Sequence, residues 1–311
     1  MAQIQTPPDR SILAKIFVSP DETRLRAGWR LLLQTILMVV LLIIIGIVVG
    51  IIYQVLLEGP PGTSIDLFIS QVIEFIGFFV SIYIARRLLD KRSFVSLGLK
   101  MNAQTLMDIL AGIVITFFMM GLIYLIEVAA GWLTFEAFAW EVEPVNIVIT
   151  SVAAFFLVFI LVGWNEELLS RGYHLQTIAS GINLFWGVIL SSAVFGALHL
   201  GNPNATWVSA AGILLAGLFL AYAYMRTGQL WLSIGLHIGW NFFEGVVFGF
   251  PVSGLDIYRL IRHQIQGPEL WTGGAFGPEA GLIVLPALGI GAALIYLYTK
   301  NRTILETQEK R

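Results

Sequence analysis

Residues 145–172 have the sequence VNIVITSVAAFFLVFILVGWNEELLSRG, and this stretch indicates the class of protein more clearly than any other. Its first part, Val145 to Gly163, is a largely apolar run close to the roughly 20 residues that a helix needs to cross a bilayer. Two adjacent carboxylates, Glu166 and Glu167, follow this run. Ionisable side chains at membrane depth cost free energy and are functional candidates. The stretch therefore predicts a membrane helix that carries a functional site.

The composition of the whole chain indicates a polytopic membrane protein. Its 311 residues are 57% hydrophobic and only 12% charged, whereas about a quarter of the residues in a soluble domain are charged. We expect an all-α fold, a transmembrane helical bundle of about eight spans. The predicted spans are Leu31–Leu57, Leu67–Leu89, Leu106–Leu133, Val145–Leu169, Leu184–Leu200, Trp207–Met225, Leu230–Phe250 and Gly281–Tyr298.

The distribution of basic residues predicts the topology. With both termini in the cytoplasm, every Lys and Arg except Arg259 and Arg262 falls on the cytoplasmic side, as the positive-inside rule requires. We therefore expect a cytoplasmic tail at 1–30, one transmembrane domain at 31–299 and a cytoplasmic tail at 300–311. The one long outer connection is Pro251 to Ala280. Within it, Asp256 to His263 has the length of a short interfacial helix, but we expect an ordinary loop.

Several classes of function are excluded by what the sequence lacks. The net charge of −2 gives no indication of nucleic-acid binding, and the absence of cysteine excludes disulfides, cysteine nucleophiles and thiolate metal sites. There is no H-E-x-x-H zinc-protease pattern, no G-x-S-x-G nucleophile turn and no Gly-Lys pair of a phosphate-binding loop. The pattern Gly-x-Gly-Asp of aspartyl intramembrane proteases is also missing.

The two glutamates are expected to have different roles. Glu167 and Arg171 are four residues apart, so on a helix they share a face and can form an ion pair. Glu166 points about 100° away into different surroundings, where it can act as a general base. The alternative is structural: Glu167 and Arg171 would form an interfacial salt bridge at the end of the fourth span.

Two histidines lie in later apolar segments. His199 closes the fifth predicted span, and His237 lies four residues before Asn241 in the seventh. The plainer alternatives are that His199 is a hydrogen-bonded packing residue and that the second pair ties two helices together. Gly235 and Gly239 flank His237 at a spacing that permits close helix approach. The remaining histidines, His174 and His263, stand in polar surroundings and are predicted to be surface residues.

Glutamate and histidine together indicate hydrolysis. A carboxylate and two imidazoles, here Glu166, His199 and His237, are a common set of zinc ligands that leaves a position for water. Equally, Glu166 can activate water without a metal while the histidines and Asn241 polarise the carbonyl. The residues themselves leave both alternatives open.

Three short patterns occur in a characteristic order: Glu166-Glu167-x-x-x-Arg171-Gly172, Phe195-x-x-x-His199 and His237-x-x-x-Asn241. They resemble the three motifs of the CPBP family, which comprises the CAAX prenyl proteases type II and the bacteriocin-processing proteins also called Abi proteins. The resemblance covers residues 165–241. It implies an intramembrane endopeptidase of a metalloprotease family, with Glu166 activating water among His199, His237 and Asn241.

Glu167 and Arg171 would support that site. The implied partners are a peptide or protein substrate at the membrane and the lipid bilayer itself. We expect a multi-pass protein of a bacterial cell membrane, and bacterial relatives usually lack prenylated substrates. One alternative is a non-catalytic scaffold or bacteriocin-immunity protein on the same fold. Another is a transporter that relays protons through its carboxylates and histidines.

The predicted depths of two site residues disagree. His199 would lie about 22 Å along its helix at 1.5 Å per residue, whereas Glu166 would lie near the inner surface. The two side chains can meet if the helices tilt, if the fourth helix continues past Glu167, or if the fifth lies shallow.

Overall fold

The computed structural model describes residues 11–20, 22–56 and 63–302. The remainder of the predicted tails, 1–10 and 303–311, and the predicted end of the first span, Leu57, lie outside the described residues. The α-helices in chain order are α1 (Ile12–Phe17), α2 (Ala27–Leu56), α3 (Thr63–Ile84), α4 (Ala103–Ala129), α5 (Ala139–Val142), α6 (Val145–Glu167), α7 (Leu175–Gly181), α8 (Leu184–Leu198), α9 (Trp207–Thr227), α10 (Trp231–Asn241), α11 (Glu269–Thr272) and α12 (Val284–Thr299). The prediction of an all-α polytopic bundle is confirmed.

Short polar side chains set where the long helices begin. Asn102 Oδ1 accepts from the backbone N–H of Gln104 at 2.8 Å at the start of α4. Asn183 and Thr206 cap α8 and α9 in the same way. These caps satisfy N–H groups that have no partner within the helix. At the other end of α9, Gly228 adopts a left-handed conformation with φ 62°, which stops the helix.

Six helical segments within the described residues are long and apolar enough to cross a membrane: Ala27–Tyr53, Ser64–Leu89, Ala103–Ala129, Val145–Gly181, Leu184–Gly201 and Trp207–Thr227. They correspond to the first six predicted spans. The seventh and eighth predicted spans form shorter helices, because α10 has 11 residues and α12 has 16.

The helix α10 is surrounded by protein, and a π-helical turn, Phe242–Val247, follows it directly. Every one of its residues is buried, so no part of it has to match the thickness of a bilayer. Glycines allow this packing: a Cβ on Gly235 would collide with the carbonyl oxygen of Ile109, and a Cβ on Gly112 would collide with the backbone of α10. A Cβ on Gly239 would collide with Thr116. The predicted close approach at Gly235 and Gly239 is confirmed, and the partner is α4.

The helix α6 continues beyond the two glutamates. A π-helical turn, Leu168–His174, follows Glu167 directly and leads into α7 without a break in the helix. Of the three arrangements that would let Glu166 and His199 meet, the structure therefore shows the second, in which the fourth predicted span, here α6, continues past Glu167. His199 itself lies in a 3₁₀ turn, His199–Gly201, at the end of α8.

The long connection after α10 contains a strand where we expected an ordinary loop or an interfacial helix. Strand β1 (Leu133–Phe138) pairs antiparallel with β2 (Ile261–Ile265), with a bulge between Phe135 and Ala137. The prediction that the third span reaches Leu133 was also wrong, because α4 ends at Ala129. Both strands alternate apolar and polar residues along part of their length, which is the pattern of a half-buried strand.

The histidine of this strand is buried, so the prediction that His263 is a surface residue was wrong. Its Nε2–H donates to the carbonyl oxygen of Phe248 at 2.8 Å, and its ring packs against Tyr124 and Phe250. Burial lowers the pKa of His263, although the hydrogen bond to Phe248 acts in the opposite direction. The ring therefore fastens the sheet to the helical bundle in its neutral form.

Candidate active site

Three helices bring the predicted site residues together. Glu166 and Glu167 lie near the end of α6, His199 follows α8, and His237 lies in the middle of the buried helix α10. The residues come from segments up to about 70 positions apart in sequence, and the hydrogen bond between His237 and Glu167 joins them directly. We therefore take this meeting point as the candidate active site.

Glu167 is a fully buried carboxylate that joins two cationic or polar partners. Arg171 Nη1 donates to its Oε1 at 2.7 Å, and His237 Nδ1 donates to the same oxygen at 2.8 Å. The i,i+4 ion pair predicted from the sequence is present and lies inside the protein, with Arg171 only 1% exposed. The alternative of an interfacial salt bridge is wrong, because the helix neither ends there nor exposes the pair.

Arg171 has further partners that explain how a guanidinium is held in this interior. Its Nη2 donates to the carbonyl oxygen of Gly217 at 3.0 Å, and its Cζ lies 4.4 Å from the ring centroid of Phe195. The same ring contacts His199, with centroids 4.7 Å apart, and His237, with centroids 6.1 Å apart. Phe195 thus packs between the ion pair and both histidines.

The two imidazoles present the same nitrogen to Glu166. His199 places Nδ1 2.8 Å from the carbonyl oxygen of Phe195, and a carbonyl can only accept a hydrogen bond. Nδ1 of His237 likewise faces a carboxylate. Both Nδ1 atoms therefore carry a hydrogen, and in the neutral rings each Nε2 has a free lone pair and accepts hydrogen bonds.

Glu166 lies between these two lone pairs. Its Oε2 is 3.7 Å from Nε2 of His199 and 3.7 Å from Nε2 of His237. Among the residues that the structure describes, this oxygen has no hydrogen-bond partner, although it is buried. Three acceptors thus converge with no donor between them. Such an arrangement suits a water molecule, which donates two hydrogen bonds, or a cation.

A cavity of about 190 Å³ opens at this point. Its wall includes the Glu166 side chain, which is 24% exposed, and also His199, His237 and Asn241. The predicted role of Asn241 as a site residue thus agrees with its position, four residues after His237 on α10. Most of the remaining wall is apolar, and it comes mainly from α6, α9 and the connection after α10. The cavity can therefore hold a peptide group next to Glu166.

The prediction from sequence missed a polar network on α3. Asn165 Nδ2 donates to both the backbone oxygen and Oε1 of Gln71 at 3.0 Å, and Gln71 Nε2 donates to Glu74 Oε2 at 3.1 Å. Gln71 and Glu74 both line the cavity. Glu74 lies inside a predicted span, so it carried the same signal of an intramembrane carboxylate that singled out Glu166.

A second missed residue, Glu279, lines the cavity from the opposite side. Its carboxylate accepts hydrogen bonds from Trp240 Nε1 at 3.0 Å and from Ser253, whose N–H and hydroxyl donate at 2.8 and 2.6 Å. It therefore fastens the connection after α10 to the residue beside Asn241. No local motif marks Glu279 in the sequence, because its partners lie 26 and 39 positions away.

His174 was also placed wrongly by the sequence. We predicted a surface residue, but its side chain is buried in the π-helical turn, next to Tyr173. The polar neighbours that suggested exposure, Ser170 and Arg171, are themselves buried. Polar residues in this stretch thus face the interior of the bundle.

The donor set resembles that of a zinc site in chemistry. Two imidazole nitrogens and a carboxylate oxygen are ordinary zinc ligands, and an imidazole whose Nδ1–H donates to a carboxylate, as in His237, is the usual outer-shell arrangement. Within residues 11–20, 22–56 and 63–302, no group of three His, Asp or Glu side chains is close enough to form a ready-made metal site. The nearest approach is the pair of 3.7 Å distances from Glu166.

Residues 148–243 match the family model described as type II CAAX prenyl endopeptidase, Rce1-like. The matched segment runs from the first turn of α6 to the end of α10 and contains every site residue predicted from the sequence. A search of the curated proteins finds no match.

Proposed function

We propose that the chain hydrolyses a peptide bond within the membrane with Glu166 as the general base, in line with the match of its residues 148–243 to the Rce1-like type II CAAX prenyl endopeptidases. The match to a protease family and the six long apolar helices among the described residues support a multi-pass membrane protein as the setting for this reaction.

One observation carries the proposal: the carboxylate of Glu166 faces two imidazole lone pairs inside a cavity. A water molecule there would donate one hydrogen bond to Oε2 of Glu166 and another to Nε2 of a histidine. Its oxygen lone pair would then point away from the three acceptors, toward a bound peptide group. This orientation is what a general base needs to direct the attack of water.

The reaction consists of two proton transfers through one carboxylate. The water oxygen bonds to the scissile carbonyl carbon while Glu166 takes one of its protons. The resulting tetrahedral intermediate carries a negative oxygen. The C–N bond then breaks, and the protonated Glu166 returns its proton to the leaving amine. Asn241 Nδ2 is the neutral donor at the cavity wall that can stabilise the oxyanion.

Glu167 and Arg171 act on this reaction through His237. The carboxylate of Glu167 fixes the ring orientation and keeps the hydrogen on Nδ1, so that Nε2 faces Glu166. It also stabilises the imidazolium if His237 takes up a proton during the reaction. Arg171 in turn holds Glu167 ionised and in place.

A divalent metal such as zinc is compatible with the same residues. Glu166, His199 and His237 would hold it through the three atoms that already converge. The metal would polarise the scissile carbonyl and acidify a bound water. The positioning roles of Glu167, Arg171 and Phe195 are the same with or without it, because they act on the imidazoles.

The proposed substrate is a peptide or protein held at the membrane. The cavity lies among helices that span the bilayer, and residues such as Phe159 and Leu220 give it an apolar wall. An extended peptide segment next to such a wall would bury apolar side chains while its peptide group reaches Glu166.

The test is a comparison of cells and purified protein that carry Glu166→Gln with matched controls. Peptides released from membrane proteins are compared by mass spectrometry, and we expect one or more products to disappear in the variant. Glu136→Gln is the control, since Glu136 is exposed on β1 and bonds only to Gln264 among the side chains described. A non-catalytic scaffold would give the same peptides in all three strains, which would contradict the proposal.

The metal is tested separately. Elemental analysis of active protein, followed by chelation and readdition of zinc, shows whether activity depends on it. If zinc is present, His199→Ala and His237→Ala should each abolish tight binding. Full activity in a metal-free preparation would establish the metal-free form of the mechanism and leave the role of Glu166 intact.

A further inference from the structure

A second cavity, of about 1090 Å³, lies outside the candidate active site. It is enclosed by the first turn of α2, the end of α7 and the middle of α8, and it shares no lining residue with the catalytic cavity. Its long wall is apolar and includes Leu32, Leu190 and Val194. Two arginines, Arg26 and Arg30, lie at one end. The cavity is thus amphipathic, with a cationic end and an apolar groove.

The cationic end lies where the first long apolar segment, Ala27–Tyr53, begins. The short helix α1 next to it exposes Ile12 and Leu13, which are 76% and 68% accessible, as expected for a helix that rests on a membrane surface. Trp29 donates its indole N–H to the carbonyl oxygen of Ile16 at 3.1 Å and packs against Phe17. Trp and Arg are the side chains that concentrate at the membrane interface.

Arginines outnumber carboxylates around this end within the part of the chain that the structure describes. One buried carboxylate, Asp90, is surrounded by three arginines: Arg30 and Arg86 pair with its oxygens, and Arg24 lies 3.9 Å away. A second carboxylate, that of the partly exposed Glu22, forms an ion pair with Arg24 at 2.5 Å. Arg30 is paired with Asp90 and also donates to Ser180 Oγ at 2.8 Å, whereas Arg26 donates to the carbonyl oxygen of Val18 and forms no ion pair with a carboxylate among the described residues.

Unused hydrogen-bond donors accompany the excess charge. Arg24 and Arg30 are 6% and 2% exposed, and the Nε of each has no partner among the residues that the structure describes. Burial and the neighbouring Arg30 lower the pKa of Arg24, although Glu22 and Asp90 act in the opposite direction. Of these two arginines only Arg30 lines the cavity, and its buried Nε without a partner favours an anion at this position.

We propose that this cavity binds a phospholipid with an anionic headgroup, with the phosphate at Arg26 and Arg30 and an acyl chain along the groove of α8. The N-terminus of α2 adds to the attraction, because the dipole of this 30-residue helix favours an anion there and its first turn contains no acidic residue. Val194, 40% exposed, opens the groove toward the lipid side.

The apolar groove identifies a lipid rather than a free anion. A phosphate or a soluble acid would use only the arginine end and leave the walls formed by Leu32, Leu190 and Val194 open to water. The acyl chain of a phospholipid covers these walls, and the headgroup of the same molecule supplies a negative charge opposite the arginines. The two halves of the cavity thus match the two halves of one molecule.

The experiment is thermal unfolding of purified full-length protein in dodecyl maltoside with added lipid. We expect dioleoyl phosphatidylglycerol to raise Tm and dioleoyl phosphatidylcholine to have little effect. In Arg26→Gln the lipid concentration for the half-maximal shift should rise about fivefold, which corresponds to about 1 kcal/mol for one cationic side chain near an anionic headgroup. Arg26 is exposed, so this variant should fold normally.

Two matched variants test the groove. Val194→Trp fills it with an indole and should abolish the shift, whereas Val114→Trp places the same ring on α4, where the side chain is 53% exposed and lines no part of the cavity, and should retain it. Equal shifts with both lipids, an unchanged shift in Val194→Trp, or a full shift with glycerol phosphate alone would each overturn the proposal.

Discussion

The same substitution at two adjacent residues, Glu166→Gln and Glu167→Gln, should separate catalysis from stability. Glu167 is fully buried and accepts from Arg171 and His237, whereas Oε2 of Glu166 has no hydrogen-bond partner in the described part of the chain. We expect Glu167→Gln to destabilise the protein and lower activity. We expect Glu166→Gln to abolish activity while stability stays near that of the wild type.

The magnitude follows from the contacts. Removing one partner of a buried ion pair costs about 3–5 kcal/mol, because the other charge is left uncompensated. Arg171 keeps the carbonyl of Gly217 and the ring of Phe195, and a glutamine oxygen still accepts one hydrogen bond, so the lower end applies. About 3 kcal/mol corresponds to a change of roughly 150-fold in the unfolding equilibrium. For Glu166→Gln we expect a change within about 0.5 kcal/mol.

The assay is equilibrium unfolding in mixed micelles of dodecyl maltoside and dodecyl sulfate, followed by tryptophan fluorescence. Peptide cleavage is measured on the same preparations. Equal stability losses in the two variants would refute the division of roles between the glutamates. Unchanged stability in Glu167→Gln would refute the claim that its ion pair with Arg171 supports the site.

Three further predictions concern topology, the oxyanion and pH. Because the chain has no cysteine, single cysteines at Lys100 and Gln264 should be labelled from opposite sides of the membrane by an impermeant reagent; labelling from one side would contradict the eight-segment topology. Asn241→Ala should lower kcat about a hundredfold in a metal-free mechanism, and a smaller loss in chelated, active enzyme would contradict its role as oxyanion donor. The pKa of His263 is lowered in the folded protein, so its contribution to stability is complete above the unfolded pKa of about 6.5 and decreases as the pH falls below that value. In His263→Gln the decrease in Tm that His263 causes on acidification should be absent. A pH dependence of Tm equal to that of the wild type would refute this contribution of His263.

The long apolar segments and the ion pair were predictable because their signals are local. A run of about 20 apolar residues specifies a spanning helix whatever packs beside it. The pairing of Glu167 with Arg171 needs only the i,i+4 spacing, and both side chains turned out to be buried together. The convergence of His199 and His237 on Glu166 was expected from the resemblance, and the structure brings these side chains to 3.7 Å.

What the sequence failed to predict depends on distant partners. Glu279 lines the cavity because Trp240 and Ser253 hold it there, and no local pattern encodes those contacts. The strand β2 was missed because the chain that pairs with it lies more than 120 positions away, although the alternation of residues was visible. His174 and His263 were assigned to the surface from their polar neighbours, which themselves face the interior.

The glycines between α4 and α10 have a consequence for genetics. A single methyl group on Gly112, Gly235 or Gly239 would collide with the opposite helix and force apart α4 and α10, and α10 carries His237. In a random loss-of-function screen these codons should therefore give null alleles even when alanine replaces glycine. A geneticist without the structure would group them with the active-site residues. That grouping is physically justified, because the close packing that these glycines allow holds His237 in place.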